Sequence, residues 1–564
     1  MSKERLREFA ESIFRLEEHE GEDKVISLEE AIRRNVKPGM VLHVTTWSAL
    51  REILRQFWGT KPEFTLIAPR LADSLVHCGL VKKIIGPFRG EGEVPIEIWS
   101  LAGMDQRLLA GALGTGFIPT KSMIGTSIAE DNKDSFKVID DPFGSGKKVG
   151  VIKALNPDLT IIHGWAADRN GNTILAPNDT EWSAFASKNG VVVTVERLVS
   201  TAFIREHSPL LVKIPGYMVN SVSVAPLGAH PLRLAGWRDV KEFQAYGDDV
   251  EFLAKYRDAT RNPEALDAWI KEWVLDCSSH EDYLSKLGFD RIQAMAKRDM
   301  AEYRLPFILD RVSPSIECSD REMMIVAAAR KIQELVLKKG YKVVLPGLGT
   351  ACLAPYLAYY QLKREGHPIA LMIGSGVFDY VPQPGEPHLA SLPSRATCKI
   401  SSNVLWAYGL VISGENQRSI SILGAAQIDK LGNMNSGIIG GRIFLSGPGG
   451  AADAYQACET VAVMAQSKTR FLERVPYITS AGVKVKTLVS TLGVFEKLGD
   501  DEEFSLTACL PNPKFATLDE KIENVKENCG WELKVAPKVK EISPPTFEEL
   551  MILRILDPDG GMRD

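Results

Sequence analysis

Two rhythms alternate along this 564-residue chain. Short, nearly continuous apolar runs bounded by glycine or proline predict strands buried on both faces. In the first half these are 40–47 (MVLHVTTW), 64–69, 159–166, 190–199 and 210–226. In the second half they are 341–349, 368–376, 403–414 (NVLWAYGLVISG), 419–429 and 484–496. Between them lie longer segments of helical spacing. In 320–340, Met323, Val326, Ala327 and Ile332 share a face and Gly340 supplies a stop. The charged N-terminus, through Lys24, reads as a surface helix, and 238–300 reads as charged helices packed outside the first sheet. Buried strands alternating with helices predict parallel α/β layers.

The halves echo each other. A helix followed by Pro38-Gly39-Met40-Val41-Leu42-His43-Val44 opens the first set of strands, and a helix followed by Gly340-Tyr341-Lys342-Val343-Val344-Leu345 opens the second. Further on, Asp168-Arg169-Asn170-Gly171-Asn172 is matched by Asp429-Lys430-Leu431-Gly432-Asn433. Asp and Asn bond nearby backbone and Gly takes positive φ, so each is a tight turn. Two copies at corresponding points indicate an internal duplication. The join falls near 301–320, where two prolines break the periodicity. The expected architecture is two similar open α/β domains with mostly parallel sheets, 1–300 and 301–564.

Composition narrows the function. Hydrophobic residues make up 45% and charged residues 25%, and formal net charge is -5, a balance that argues against a general nucleic-acid binder. No apolar run is long enough to span a bilayer, and the N-terminus lacks the apolar core of a secretion signal. A cytoplasmic protein is expected. The eight cysteines form no CxxC and no zinc-spaced cluster with histidine, so no metal is expected and the thiols read as small buried side chains in a reducing compartment.

Several ordered segments carry a family resemblance. Arg107-Leu-Leu-Ala-Gly-Ala-Leu-Gly-Thr-Gly-Phe-Ile-Pro119, Val195-Glu196-Arg197-Leu198-Val199 and Ala225-Pro-Leu-Gly-Ala-His-Pro231 resemble α-subunit segments of glutaconate coenzyme A transferase. Gly424-Ala-Ala-Gln-Ile-Asp429 through Asn435, and Ser446-Gly-Pro-Gly-Gly-Ala-Ala-Asp453, resemble β-subunit segments in the same order. The chain thus resembles a class I coenzyme A transferase of the NagB-like fold with its two subunits fused. Thr491-Leu-Gly-Val-Phe495 and Ile552-Leu-Arg-Ile-Leu-Asp-Pro558 are similar to the two-subunit hydrolase of the same superfamily that opens the last steroid ring. The resemblance implies an acyl-coenzyme A thioester as substrate, no tightly bound cofactor, and pairing into a homo-oligomer.

It also implies a nucleophile that this chain lacks. Family transferases carry a glutamate in an E-x-G turn after a β-subunit strand, and its carboxylate forms a covalent thioester with coenzyme A. Here the strand of 368–373 runs into Gly374-Ser375-Gly376. Gly374 stands in the glutamate's place, and glycine has no nucleophile. Ser375 is adjacent but has no base local in sequence; alternatively it bonds its own turn. Glu386 and Glu415 read as surface and turn charges. The ring-opening relative uses an acidic residue of its α subunit, and the nearest acids in the corresponding stretch are Glu97 and Asp105. Either could activate water or donate a proton; either could also be a surface or cap charge. His43, His163 and His230 read as structural. The turns at Gly347 and Gly349, Gly374 and Gly376, and Gly447, Gly449 and Gly450 are candidates to bring backbone N–H groups to phosphates or a thioester carbonyl. Neither a GxxxxGK[ST] loop nor a dinucleotide fingerprint occurs.

Three functions fit these residues: hydrolysis of a bond in an acyl-coenzyme A substrate, including a C–C bond of a cyclic β-diketone; coenzyme A transfer between carboxylic acids; and acyl-coenzyme A binding without catalysis.

Overall fold

The computed structural model describes residues 2–563 apart from 69–70, 89–93, 208–210, 238–239, 298–304, 386–388, 390–391, 441 and 444–446. Glu386 and Ser446 lie outside the described residues. Two large sheets organise the chain, one with strands from 41–224 and the other with strands from 343–541. In the first, the strands starting at Val219, Val191, Leu159, Val41 and Phe64 are parallel neighbours in that order. In the second, those starting at Val485, Glu459, Ser419, Val343 and Ala370 repeat the order and the sense. The duplication read from the sequence is thus a duplication of sheet topology.

Its hallmark turns agree atom by atom. Asp168 accepts from the Asn172 backbone N–H at 2.9 Å and the Asn172 amide at 2.8 Å. Asp429 accepts from the Asn433 equivalents at 2.9 and 3.1 Å. Asn172 and Asn433 then accept from the N–H of Gly216 and Gly482, each opening a single 3₁₀ turn before a parallel strand. These carboxylates splice a hairpin to the strand beyond it. Asp429→Ala is expected to cost about 3 kcal/mol, because three backbone donors lose their acceptor; urea midpoints of the two proteins measure it.

The helix Asp320–Lys339 starts at a Ser319–Glu322 capping box and ends at Gly340 in the left-handed conformation. The N-terminal helix Lys3–Phe14 buries no residue. The helices of 250–287 bring Phe252, Tyr256 and Trp269 against Trp47, Leu50 and Ile53, outside the first sheet. Five of the eight cysteines are buried, as their apolar surroundings predict. No described helix is long and apolar enough to cross a membrane.

Four strand expectations need correction. The run 419–429 is two strands in different sheets, Ser419–Leu423 and Gln427–Asp429. The run 210–226 is two strands, Val212–Ile214 and Val219–Val224, interrupted at Pro215. The run 484–496 is an antiparallel pair turning at Thr491 and Leu492. Residues 403–414 form no strand: Trp406–Ile412 is a wide π-helical turn that buries Ala407, Tyr408 and Ile412. A short apolar run has no periodicity that separates strand from buried helix.

Candidate active site

The strand Val343–Pro346 ends at Gly347–Gly349, and its parallel neighbour Ala370–Ile373 ends at Gly374–Gly376. In open α/β sheets this carboxyl edge is where ligands bind. Gly347 is packed too closely on the backbone of Ile422 to carry a side chain, whereas Gly349, at φ 69°, faces open space. Gly376, at φ 90°, lies against the Ser402 backbone; its N–H goes to Ile373 and its carbonyl accepts from Ser402. Gly449 is similarly committed, donating to the Pro87 carbonyl at 3.1 Å and accepting from Leu101 at 3.1 Å. Those bonds clamp the turn Gly447–Gly450 onto the first half of the chain. The Gly376 and Gly449 amides are therefore structural.

Gly374 and Gly450 face the same object. A Cβ on either would overlap the hydroxyl oxygen of Tyr408. The π-helical turn thus places a phenol in the gap between the two glycine turns, and a side chain on either glycine would have to displace the Tyr408 ring.

Ser375 sits among donors. Its hydroxyl lies 3.5 Å from Arg395 Nη2, and its carbonyl accepts from Asn178 Nδ2 at 3.4 Å. Arg395 also donates to Asn178 Oδ1. A guanidinium cannot take a proton from a serine, so this arrangement does not activate Ser375 as a nucleophile. Arg395 and Asn178 line a cavity of about 420 Å³ between the halves, with Trp237 and Phe243 on one wall and Cys398 and Ser401 on the other.

The two acids singled out from the sequence have opposite surroundings. Glu97, in the strand Ile96–Ile98, receives Lys83 Nζ at 2.6 Å, Arg107 Nη1 at 2.7 Å and Trp99 Nε1 at 2.8 Å. Burial works against its charge, but these donors outweigh it and hold its pKa below the usual carboxylate value. Arg107, buried over the Trp99 ring at 4.3 Å, uses Glu97 and the Lys153 carbonyl to pin the helix Leu101–Ala112. Glu97 therefore anchors that helix and stays ionised.

Asp105 lies one turn into the same helix, partly buried, and accepts no hydrogen bond among the described residues. Desolvation, reinforced by the charge of Asp453, raises its pKa from 3.8 to about 7. Sequence reading did not single out Asp453, although it closes the quoted glycine-rich segment. It is 2% exposed. It accepts from the Ala102 backbone at 2.9 Å and from the Ser122 hydroxyl. Burial raises its pKa to about 6 against those bonds. The two carboxyls lie one on each half of the chain, and the charge of Asp453 adds to the rise at Asp105. A carboxyl poised near neutrality can give or take a proton at working pH.

His163 and His230 are each bonded at both ring nitrogens, whereas the buried Nδ1 of His43 meets no hydrogen-bond partner among the described residues. His163 bridges Thr194 and Glu196 at 2.9 and 2.8 Å, and His230 bridges Tyr283 and Asp249 at 2.7 and 3.1 Å. Burial lowers the His43 pKa to about 4, leaving it neutral. Among the described residues no cluster could hold a metal.

A partly buried carboxyl on the first half faces a buried one on the second, in a chain of two duplicated α/β halves with glycine turns at the carboxyl edge of a parallel sheet. Comparison with known proteins gives the family. Residues 64–225 match the family model described as Coenzyme A transferase. Both polypeptides of the glutaconate CoA-transferase of Acidaminococcus fermentans are similar to this chain. One is 29% identical, over 48% of this chain and 93% of its own length. The other is 26% identical, over 43% of this chain and 93% of its own length. The crystal structure of an acyl-CoA transferase from Escherichia coli O157:H7 shares the fold across 97% of this chain and 99% of its own, at 16% identity and a TM-score of 0.64. The chain belongs to the coenzyme A transferase superfamily, with similarity to both polypeptides of a two-subunit enzyme joined in one.

Proposed function

We propose that this protein hydrolyses an acyl-coenzyme A substrate by acid–base chemistry at Asp105, without a covalent enzyme–coenzyme A intermediate. The observation that carries the reading is at Gly374. Gly374 carries no side chain and the Tyr408 hydroxyl occupies the space one would need, which supports a reaction that proceeds without the glutamate of the family transferases. Asp105 supplies what that leaves, a carboxyl with a pKa of about 7 and no structural bond to give up. As a carboxylate it takes a proton from water, and the hydroxide attacks the carbonyl carbon. The cavity beside Arg395 and Asn178 accommodates the acyl group. In this reading residues 1–300 and 301–564 stand for the two polypeptides of the two-subunit enzymes.

Coenzyme A transfer between carboxylic acids is the second reading, favoured by the names of the relatives. Intact-protein mass spectrometry after incubation with acetyl-CoA and glutaryl-CoA separates the two. Unmodified mass together with hydrolysis is the expected result. A coenzyme A adduct on a glutamate sinks the hydrolase reading, and transfer to added acetate without an adduct replaces it by a ternary-complex transferase. Product analysis with a coenzyme A thioester that carries a cyclic β-diketone names the bond cleaved: free coenzyme A reports thioester hydrolysis, whereas an opened acid still carrying coenzyme A reports C–C cleavage.

A further inference from the structure

We propose that the Tyr408 hydroxyl is a catalytic hydrogen-bond donor to the carbonyl oxygen of the acyl-coenzyme A substrate, set by the π-helical turn at the mouth of the Gly374 and Gly450 turns. The proposal rests on the reading that the site takes an acyl-coenzyme A, and adds to it the group that stabilises the oxyanion.

Three observations converge on this tyrosine. Its hydroxyl oxygen fills the gap between two glycine turns that come from distant parts of the second half. The residue is 7% exposed, yet its hydroxyl meets no hydrogen-bond partner among the described residues. A hydroxyl with no protein partner has its proton available for a bound acceptor. The phenol also stays protonated: burial, then the negative charge of Asp453, raises its pKa well beyond the ordinary tyrosine value. It is thus a donor and not a base at any working pH. Wide helical turns recur at functional sites because they re-aim one side chain without unmaking the helix. Here the wide turn sends Tyr408 toward the carboxyl edge while Ala407 and Ile412 remain in the core.

The chemistry needs no covalent step. Hydroxide generated through Asp105 attacks the carbonyl carbon, and negative charge develops on the carbonyl oxygen. A preorganised neutral donor stabilises that charge without reorganisation. Collapse of the intermediate expels the leaving group, which takes back the proton held by Asp105.

The test uses S-acetonyl-coenzyme A, an unreactive thioether with a ketone, carrying ¹³C at the carbonyl. Bound to the wild-type protein, its carbonyl resonance is expected to move downfield as it accepts the bond. In Tyr408→Phe the analogue is expected to bind with the shift lost, and hydrolysis to fall about 10²-fold in kcat with little change in KM. Tyr408→Phe keeps the ring that fills the gap, and an unchanged melting temperature shows that the fold is intact. A wild-type shift retained in Tyr408→Phe overturns the proposal, as does an analogue that binds without any shift or does not bind. Asp105→Asn is expected to retain the shift while losing turnover. Failure of the Asp105 reading would appear as retained turnover in that variant, and so is told apart from failure of the tyrosine.

Discussion

Asp105→Asn is expected to lower kcat about 10³-fold, the size of effect that a positioned general base supplies, and at the same time to stabilise the protein above neutral pH. The folded-state pKa is raised, from 3.8 to about 7, first by desolvation and then by Asp453. Between those values the native state holds a proton that the unfolded chain has released. Stability therefore falls as pH rises through that window, and the full penalty for a buried carboxylate is present above about 7. Asparagine removes the penalty. Thermal melts at pH 8 should show the variant above the wild type, with the gap closing as the pH drops below about 4. In the wild type, kcat/KM should rise with pH through a midpoint near 7 as Asp105 deprotonates. Near-normal turnover by the variant, with no rise in its melting temperature at pH 8, would show that Asp105 is neither base nor buried charge.

Glu322→Gln is expected to be the most damaging substitution to the fold, lowering stability by about 3–5 kcal/mol because it strips the counter-charge from a buried arginine. Glu322 and Arg554 are 3% and 4% exposed at the side chain and meet at 2.9 Å. Arg563 adds a second contact at 2.9 Å. Arg554 further donates to the carbonyls of Ser313, Ser315 and Glu317. Burial disfavours the Glu322 carboxylate, but Arg554, the Ser319 backbone and Arg563 outweigh it and hold its pKa below 4.5. Its stabilisation is present above that value and is lost as pH falls through the lowered one. One carboxylate thereby ties the C-terminal helix Phe547–Leu556 and the chain end to the segment joining the two halves. Chemical denaturation of the two proteins at pH 7 measures the loss. An unchanged midpoint would mean that the network contributes nothing.

Legibility followed the range of the interactions. The Asp168 and Asp429 turns were readable because each is closed by residues within four positions, with glycine meeting a local backbone demand. The strands of the parallel core were readable because burial on both faces leaves a continuous apolar run. NVLWAYGLVISG satisfies that same pattern and is nonetheless a π-helical turn. Its apolar side chains serve a helix packed under the core, and nothing within the run distinguishes the two. Of the acids flagged from the sequence, Asp105 and Glu97 stand eight positions apart and could not be told apart there. What separates them is Arg107, Lys83 and Trp99 around the one and Asp453 near the other.

By itself the sequence determined the duplicated α/β architecture, the superfamily, and the glycine at 374, because hydrophobic period, turn chemistry and ordered motifs are properties of contiguous residues. Only the tertiary structure decided what occupies the space over that glycine and which of the two flagged carboxyls has a raised pKa. Tyr408 reaches Gly374 and Gly450 from another element, and Asp105 feels Asp453 across the two halves of the chain. Steric exclusion and desolvation depend on what packing brings together, and such neighbours leave no mark in the local order of residues.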